Sequence, residues 1–172
     1  MPAPTDEMRR KREELVREHM DSENRHEFEA TIATFDHPRY ELVATGQVYD
    51  GPDEVRRYFD ETRRAFPDQR NELIALHHAD DAVLVEAVIR GTHRGPLQSL
   101  PPTGRSFELP ILSIFEFDGT RLIGERVYFD ASTMLRQLGV ARDPLSLGGR
   151  LGTVLAHPLT ITRGLVRRAV GP

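Results

Sequence analysis

Three polar side chains fall at every second position of Arg126-Val127-Tyr128-Phe129-Asp130, at the end of an otherwise apolar stretch. Alternation along a strand sets Arg126, Tyr128 and Asp130 on one face and Val127 and Phe129 on the other. A carboxylate beside a phenol and a guanidinium on the concave side of a sheet is equipment for moving a proton on a small organic molecule. Arg126 and Tyr128 are both donors to a developing enolate, and Arg126 has the alternative role of pairing with a carboxylate on the sheet. Asp130 has two readings that do not exclude each other. Apolar neighbours such as Phe129 and Met134 would raise its pKa toward working pH and suit it to general acid/base work. Placed directly before the run 131–138, it is also a preferred helix N-cap.

His93 shares a strand face with Ala87, Ile89 and Gly91 and opens a long loop. There it would donate to a substrate carbonyl or share a proton with Asp130, or else simply bond to backbone in a turn. His19, Tyr49 and Tyr58 are the remaining candidate substrate-binding residues, with plain core as the alternative for the tyrosines. His19 and His26 lie seven apart on one side of a continuous helix, with His37 soon after, yet no HxH or HExxH spacing accompanies them. No metal site and no cofactor are expected.

The elements that would carry these residues follow from periodicity. Thr5 or Asp6 caps a helix over 5–20, and a second helix is predicted from Ser22, as cap, to Thr34, unless the two run on as one. Residues 40–43 and 47–49 read as short strands around Thr45-Gly46. Gly51-Pro52-Asp53 starts a helix that ends at Pro67. Strands follow at 70–78, 82–93, 106–117 and 121–129, the last two joined at Asp118-Gly119, and Gly139 stops a final short helix. Helices first and a meander of strands after them predict an α+β fold, a strongly curved antiparallel sheet wrapped around N-terminal helices in a cone-shaped barrel.

The chain of 172 residues fits one domain able to bury roughly 70% of its unfolded surface. The absence of cysteine excludes disulfides, thiolate nucleophiles and cysteine zinc sites. Net charge is −4, but residues 145–172 hold four arginines and no acid, which leaves −8 on the rest. An acidic body argues against a nucleic-acid partner. No apolar run is long enough to span a membrane and none has signal-peptide character, so the expected location is the cytoplasm.

Several short motifs match a known pattern. They are Phe66-Pro67-Asp68 after the third helix, Gly91-Thr92-His93-Arg94-Gly95 closing a long strand, Leu100-Pro101-Pro102-Thr103-Gly104-Arg105 opening the next, and Tyr128-Phe129-Asp130 followed by Leu135-Arg136-Gln137-Leu138-Gly139. From about residue 8 to residue 140 the chain resembles the SnoaL-like polyketide cyclases of the nuclear transport factor 2-like superfamily. The resemblance implies a pocket between the curved sheet and the helices, and an aspartate at the end of the last strand, matched by Asp130, as acid/base in an intramolecular aldol closure. The chain departs from the pattern in having no tryptophan, with Arg126 and Ala87 near the usual places.

These observations lead to a protein that binds a small, largely apolar molecule in a closed pocket. If catalytic, it is a cyclase or isomerase that uses Asp130, assisted by His93, Tyr128 or Arg126, to take a proton beside a carbonyl. The alternatives are a non-catalytic ligand-binding or dimerisation module, and an epoxide hydrolase, for which only Arg126 and Asp130 are in evident position. A broad sheet face outside the cone predicts a homodimer. The domain is expected to end at residue 143, with 144–172 an extension whose prolines and glycines interrupt its apolar positions. Leu151, Val154, Leu155 and Leu159 would dock it on its own or a partner subunit, and poor helical continuity argues against a membrane contact.

Overall fold

The computed structural model describes residues 4–143 and 145–170. Helix α1 (Asp6–Asn24) starts at Thr5, whose hydroxyl accepts from the Met8 N–H at 3.2 Å, with Asp6 and Glu7 in its first turn. Its inward stripe is Arg12, Val16, His19, Met20 and Glu23, a helical period carrying three ionisable groups. The helix runs beyond Met20 because Ser22 does not cap a new one. Its buried hydroxyl donates to the His19 carbonyl at 2.9 Å and meets Thr31 Oγ1 at 2.9 Å. The break comes at Arg25–Glu27, where His26 takes φ +60, and α2 is only Phe28–Ala33.

A hairpin of β1 (Arg39–Leu42) and β2 (Gln47–Asp50) precedes α3 (Pro52–Ala65), which has proline in its first turn and arginines in its last. Then come β3 (Arg70–His78), β4 (Ala82–Thr92), β5 (Ser106–Asp118) and β6 (Arg121–Phe129), followed by α4 (Ala131–Gln137). The six strands form one open sheet in the order β2-β1-β6-β5-β4-β3. The predicted antiparallel meander is present from β3 to β6, but β1 joins β6 in parallel, with Tyr40 opposite Glu125. Irregularities at Leu73/Ala75 and Glu116/Phe117 add local twist and help the sheet curl.

Curling gives the sheet two unlike faces. Val83, Val85, Ala87, Leu109, Phe115 and Leu122 are buried on the concave face, against α1, α2 and α3 at one end and α4 at the other. Glu72, Glu86, Arg90, Glu108 and Pro110 are exposed on the convex one. The core forms two clusters, one around Phe59 and Phe115 and one around Phe66, Phe107 and Leu138. Ile111 and Phe129 touch both clusters and keep part of their surface open, so the concave face is not filled along the strip between them.

Arg12 anchors α1 to the far end of the sheet. Only 1% exposed, it donates from Nε to the Gly119 carbonyl at 2.8 Å and from Nη1 to the Asp80 carbonyl at 3.0 Å, and its guanidinium lies over the Phe117 ring. One side chain thus ties the β3–β4 turn to the β5–β6 turn.

Beyond the sheet, α5 (Leu147–Ala156) and α6 (Pro158–Val170) correct the expectation of an interrupted tail. Ser146 caps α5 by accepting from the Gly149 N–H at 3.0 Å, and Pro158 opens α6, where it costs no hydrogen bond. The glycines lie inside helices that continue through them.

Replacing Arg12 by methionine keeps much of the buried stem and removes both bonds to the turns. Urea unfolding of Arg12→Met is expected to show a loss of about 2 kcal/mol, the net worth of hydrogen bonds from a charged donor; unchanged stability would mean that the clamp is incidental.

Candidate acid/base site

The residues singled out on β6 point away from the helices. Arg126 and Tyr128 stand opposite Ile114 and Leu112 and so share the convex face with them, whereas Glu125, opposite the buried Phe115, faces inward. Arg126 donates from Nη2 to the Tyr128 hydroxyl at 2.9 Å, and its other nitrogens lie 3.6 Å from Glu41 and 3.7 Å from Glu116. Tyr128 and Asp130 border a groove of about 660 Å³ with Ile74, Val88, Pro110 and Leu112.

Asp130 caps α4. Its Oδ1 accepts from the Thr133 N–H at 3.0 Å and its Oδ2 accepts from the Thr133 hydroxyl. The side chain is largely exposed, and these bonds, the hydroxyl first and then the backbone N–H, hold its pKa below the usual carboxylate value. The upward shift anticipated from Phe129 and Met134 does not occur, because the carboxylate turns to the helix end and to water.

His93 is fully buried, with its ring 5.3 Å from that of Phe66. Its Nδ1 accepts from the Thr103 N–H at 3.3 Å, which puts the proton on Nε2, a buried atom without a partner. The residue pins the loop that follows β4 and has no hydrogen bond with Asp130.

The polar group that does converge lies inside, between α1, β1 and β6. His19 is 1% exposed, Tyr40 2% and Glu125 5%. The Thr34 hydroxyl donates to the Thr31 carbonyl at 2.7 Å, so at 2.8 Å from His19 Nδ1 its oxygen accepts, and the imidazole Nδ1 carries a proton. His19 Nε2 then faces the Tyr40 hydroxyl at 2.5 Å and Glu125 Oε2 at 3.4 Å. Imidazole, phenol and carboxylate can pass one proton among them. Edge contacts from Phe35 and Phe115 fix the imidazole plane.

A second buried pair adjoins this set: Arg63 on α3 donates from Nη2 to Glu23 Oε1 on α1 at 3.1 Å. The Tyr58 ring lies tilted against that of Tyr49, with centroids 5.0 Å apart, and 5.6 Å from that of Tyr40. Burial first, then the negative charges of Glu125 and Glu23, raise the Tyr40 pKa well above its usual value. Burial also raises Tyr58 and Tyr49, so all three phenols stay protonated at neutral pH. The structure therefore brings His19, Tyr58 and Tyr49 to one region and leaves Arg126, Tyr128, Asp130 and His93 outside it. His26 and His37 are exposed and part from His19, and among the described residues no three His, Asp or Glu side chains are grouped to hold a metal.

Glu125, Tyr40, Glu23 and Arg63 were not singled out by the sequence reading. For Glu125 a signal was present, because the alternation that exposes Arg126 and Tyr128 puts Glu125 on the same face as Val127 and Phe129.

If the Asp130 carboxylate is the α4 cap, Asp130→Ala lowers the melting temperature while Asp130→Asn, itself a good cap, leaves it nearly unchanged. Because folding depresses the Asp130 pKa, the stabilisation is present above the ordinary carboxylate range and is lost as pH falls through the folded pKa. The gap between wild type and Asp130→Ala is thus expected at pH 7 and should close below about pH 4; calorimetry across that range checks it.

Comparison with known proteins places these features in context. The profile of the SnoaL-like polyketide cyclase family matches residues 13–138. A search of curated proteins found no match. Among solved structures, IdmH from Streptomyces antibioticus, a candidate polyketide cyclase, is similar with a TM-score of 0.64 and 25% identity over 75% of this chain and 99% of its own. TsrD from Streptomyces laurentii gives a TM-score of 0.67 with 20% identity over 77% and 98%. A protein of ketosteroid isomerase-like fold from Catenulispora acidiphila, solved with trimethylamine, gives 0.64 with 19% identity over 74% and 94%.

Proposed function

Since the chain belongs to the SnoaL-like polyketide cyclase family, we propose that it binds a small, largely apolar carbonyl compound on the concave face of its sheet and moves a proton at the carbon beside the carbonyl. The observation that carries this reading is Glu125, a carboxylate on an apolar face in contact with His19 and Tyr40. Partly open apolar side chains of the same core, Ile111, Val127, Phe129 and Leu73, offer a surface for the ligand.

In the proposed step Glu125 takes the proton from the α-carbon, and the electron pair of the broken C–H bond moves into an enolate. Tyr58, a half-buried residue whose hydroxyl is kept protonated by burial, donates to the enolate oxygen. His19 accepts or returns the proton through Nε2. The enolate carbon then either attacks a second carbonyl of the same molecule, which closes a ring and leaves an alkoxide that takes back the abstracted proton from His19, or is reprotonated elsewhere, which isomerises it. These steps need a base, a donor and exclusion of water, and no redox partner.

A second reading keeps Asp130 as the acid/base, and the groove it borders with Tyr128 favours that reading. Deuterium wash-in at the α-carbon of polycyclic β-keto esters, followed by NMR, separates the two. Glu125→Gln is expected to slow exchange by ~10² or more, the worth of a general base, while Asp130→Asn retains it. The reverse result assigns the role to Asp130. Wild-type protein that binds the esters but accelerates nothing is a ligand-binding module.

We also propose a homodimer through the convex face, where Leu84, Val88, Leu112 and Ile114 are half-exposed and Ile74 is 57% exposed. Sedimentation at micromolar concentration is expected to give twice the chain mass, and a 19.5 kDa species would overturn the proposal.

A further inference from the structure

The C-terminal helices expose apolar surface on a segment that carries charge of one sign. Leu147, Leu151, Val154 and Leu155 follow the i, i+4, i+7, i+8 pattern of one helical face, and three of these leucines are 63% exposed or more. On α6, Leu159 and Val166 fall on one stripe, seven apart, at 74% and 55% exposure. Arg163 and Arg167, four apart, form the stripe beside them, and both are exposed. Residues 145–172 include Arg150, Arg163, Arg167 and Arg168 and no acid. Among the described residues none of the four arginines has an ion-pair partner.

We infer that α5 and α6 are a peripheral docking surface for an anionic lipid bilayer. The apolar stripe enters the headgroup boundary, and Arg150, Arg163 and Arg167, with their long apolar stems, reach the lipid phosphates from its edge, while Arg168 lies on the opposite side of α6. This departs from the expectation of no membrane contact, which rested on poor helical continuity that the two helices do not have. Neither helix is long and apolar enough to cross a bilayer, so the segment would lie on the surface.

Charge selects this occupant over the alternatives. The convex sheet of a second copy is the obvious apolar rival, but its carboxylates are already engaged: Glu72 and Glu108 pair with Arg90, Glu86 pairs with His77, and Glu41 and Glu116 lie by Arg126. With Arg39 also beside Glu41, three guanidiniums stand among these five carboxylates, and the remaining excess is too small to match four arginines. A nucleic acid would supply the charge but leave the leucines in water. An anionic bilayer meets both. The −8 body would be repelled from the same surface, which orients the protein with its tail inward and its domain outward.

The test is flotation of the full-length protein with vesicles of phosphatidylcholine alone or with phosphatidylglycerol added. Binding is expected only to the anionic vesicles and should weaken as salt is raised. The triple variant Arg150→Gln/Arg163→Gln/Arg167→Gln should bind roughly a hundredfold more weakly, since each basic residue near an anionic surface contributes about a factor of five. Leu151→Ser/Leu155→Ser should lose binding even at low salt, and because all these side chains are exposed the thermal unfolding of both variants should match wild type. No binding to anionic vesicles overturns the inference, as does equal binding to neutral ones. So does a change of oligomeric state in the leucine variant, which would give the stripe to a second copy.

Discussion

A carboxylate on the inner face of a sheet is costly unless polar groups stand beside it, and Glu125, whose buried Oε2 makes no hydrogen bond, is faced by groups from three segments of the chain. His19 arrives from α1, Tyr40 from β1, and Thr34 behind the imidazole from the end of α2. The need to satisfy one buried acid therefore fixes the phase of the first helix against the last strand. Glu23 and Arg63 repeat the principle one turn along, tying α1 to α3. Removing either partner would leave an uncompensated charge, far more costly than the pair itself is stabilising. The helices are held by polar contacts whose geometry is narrow, with the aromatic packing of Phe28, Phe35, Phe59 and Phe115 around them.

The two faces of the sheet divide the chemistry of the protein. The concave face carries aromatic and aliphatic side chains interrupted by a few polar groups, among them the protonated phenols of Tyr40 and Tyr58. Ion pairs on the convex face, such as Arg90 with Glu72 and Glu108, lie in water and are individually weak. A ligand without charge gains on the first face and not on the second. Ile111 and Phe129 lie between the two core clusters, pack against both and keep part of their surface open.

Much of this was legible from the amino acids, because strand and helix periods were strong and turn residues stood where the turns are. The strands from Arg70 onward matched to within a residue, since long alternating runs are bounded by Ala79-Asp80-Asp81 and Asp118-Gly119. The family resemblance was legible too, in motifs that the loop after β4 and the end of β6 preserve. What failed was the choice of face. Alternation separated Arg126 and Tyr128 from Val127 and Phe129 correctly, but only pairing with buried Phe115 shows which set looks inward, and pairing is non-local. Ser22 misled for a related reason: a serine after an apolar stripe signals a cap, whereas here its neighbours across the helix pair, His19 and Thr31, take up its hydroxyl. The parallel partnership of β1 and β6 left no local trace at all.

That partnership has a temporal side. During vectorial synthesis the β1–β2 hairpin leaves the ribosome long before β6, because Tyr40 pairs with Glu125 and Leu42 with Val127. Until the last strand is made, one edge of β1 has no neighbour, and until β3 and β4 follow, Val16, Met20 and His19 on α1 have no sheet to cover them. The N-terminal third is therefore a nascent intermediate with an unpaired strand edge and an uncovered apolar helix face, the combination that trigger-type chaperones shield and that aggregates when they are lacking. Completion of the final hairpin closes that window, so translation speed through β5 and β6 sets how long the nascent chain stays vulnerable.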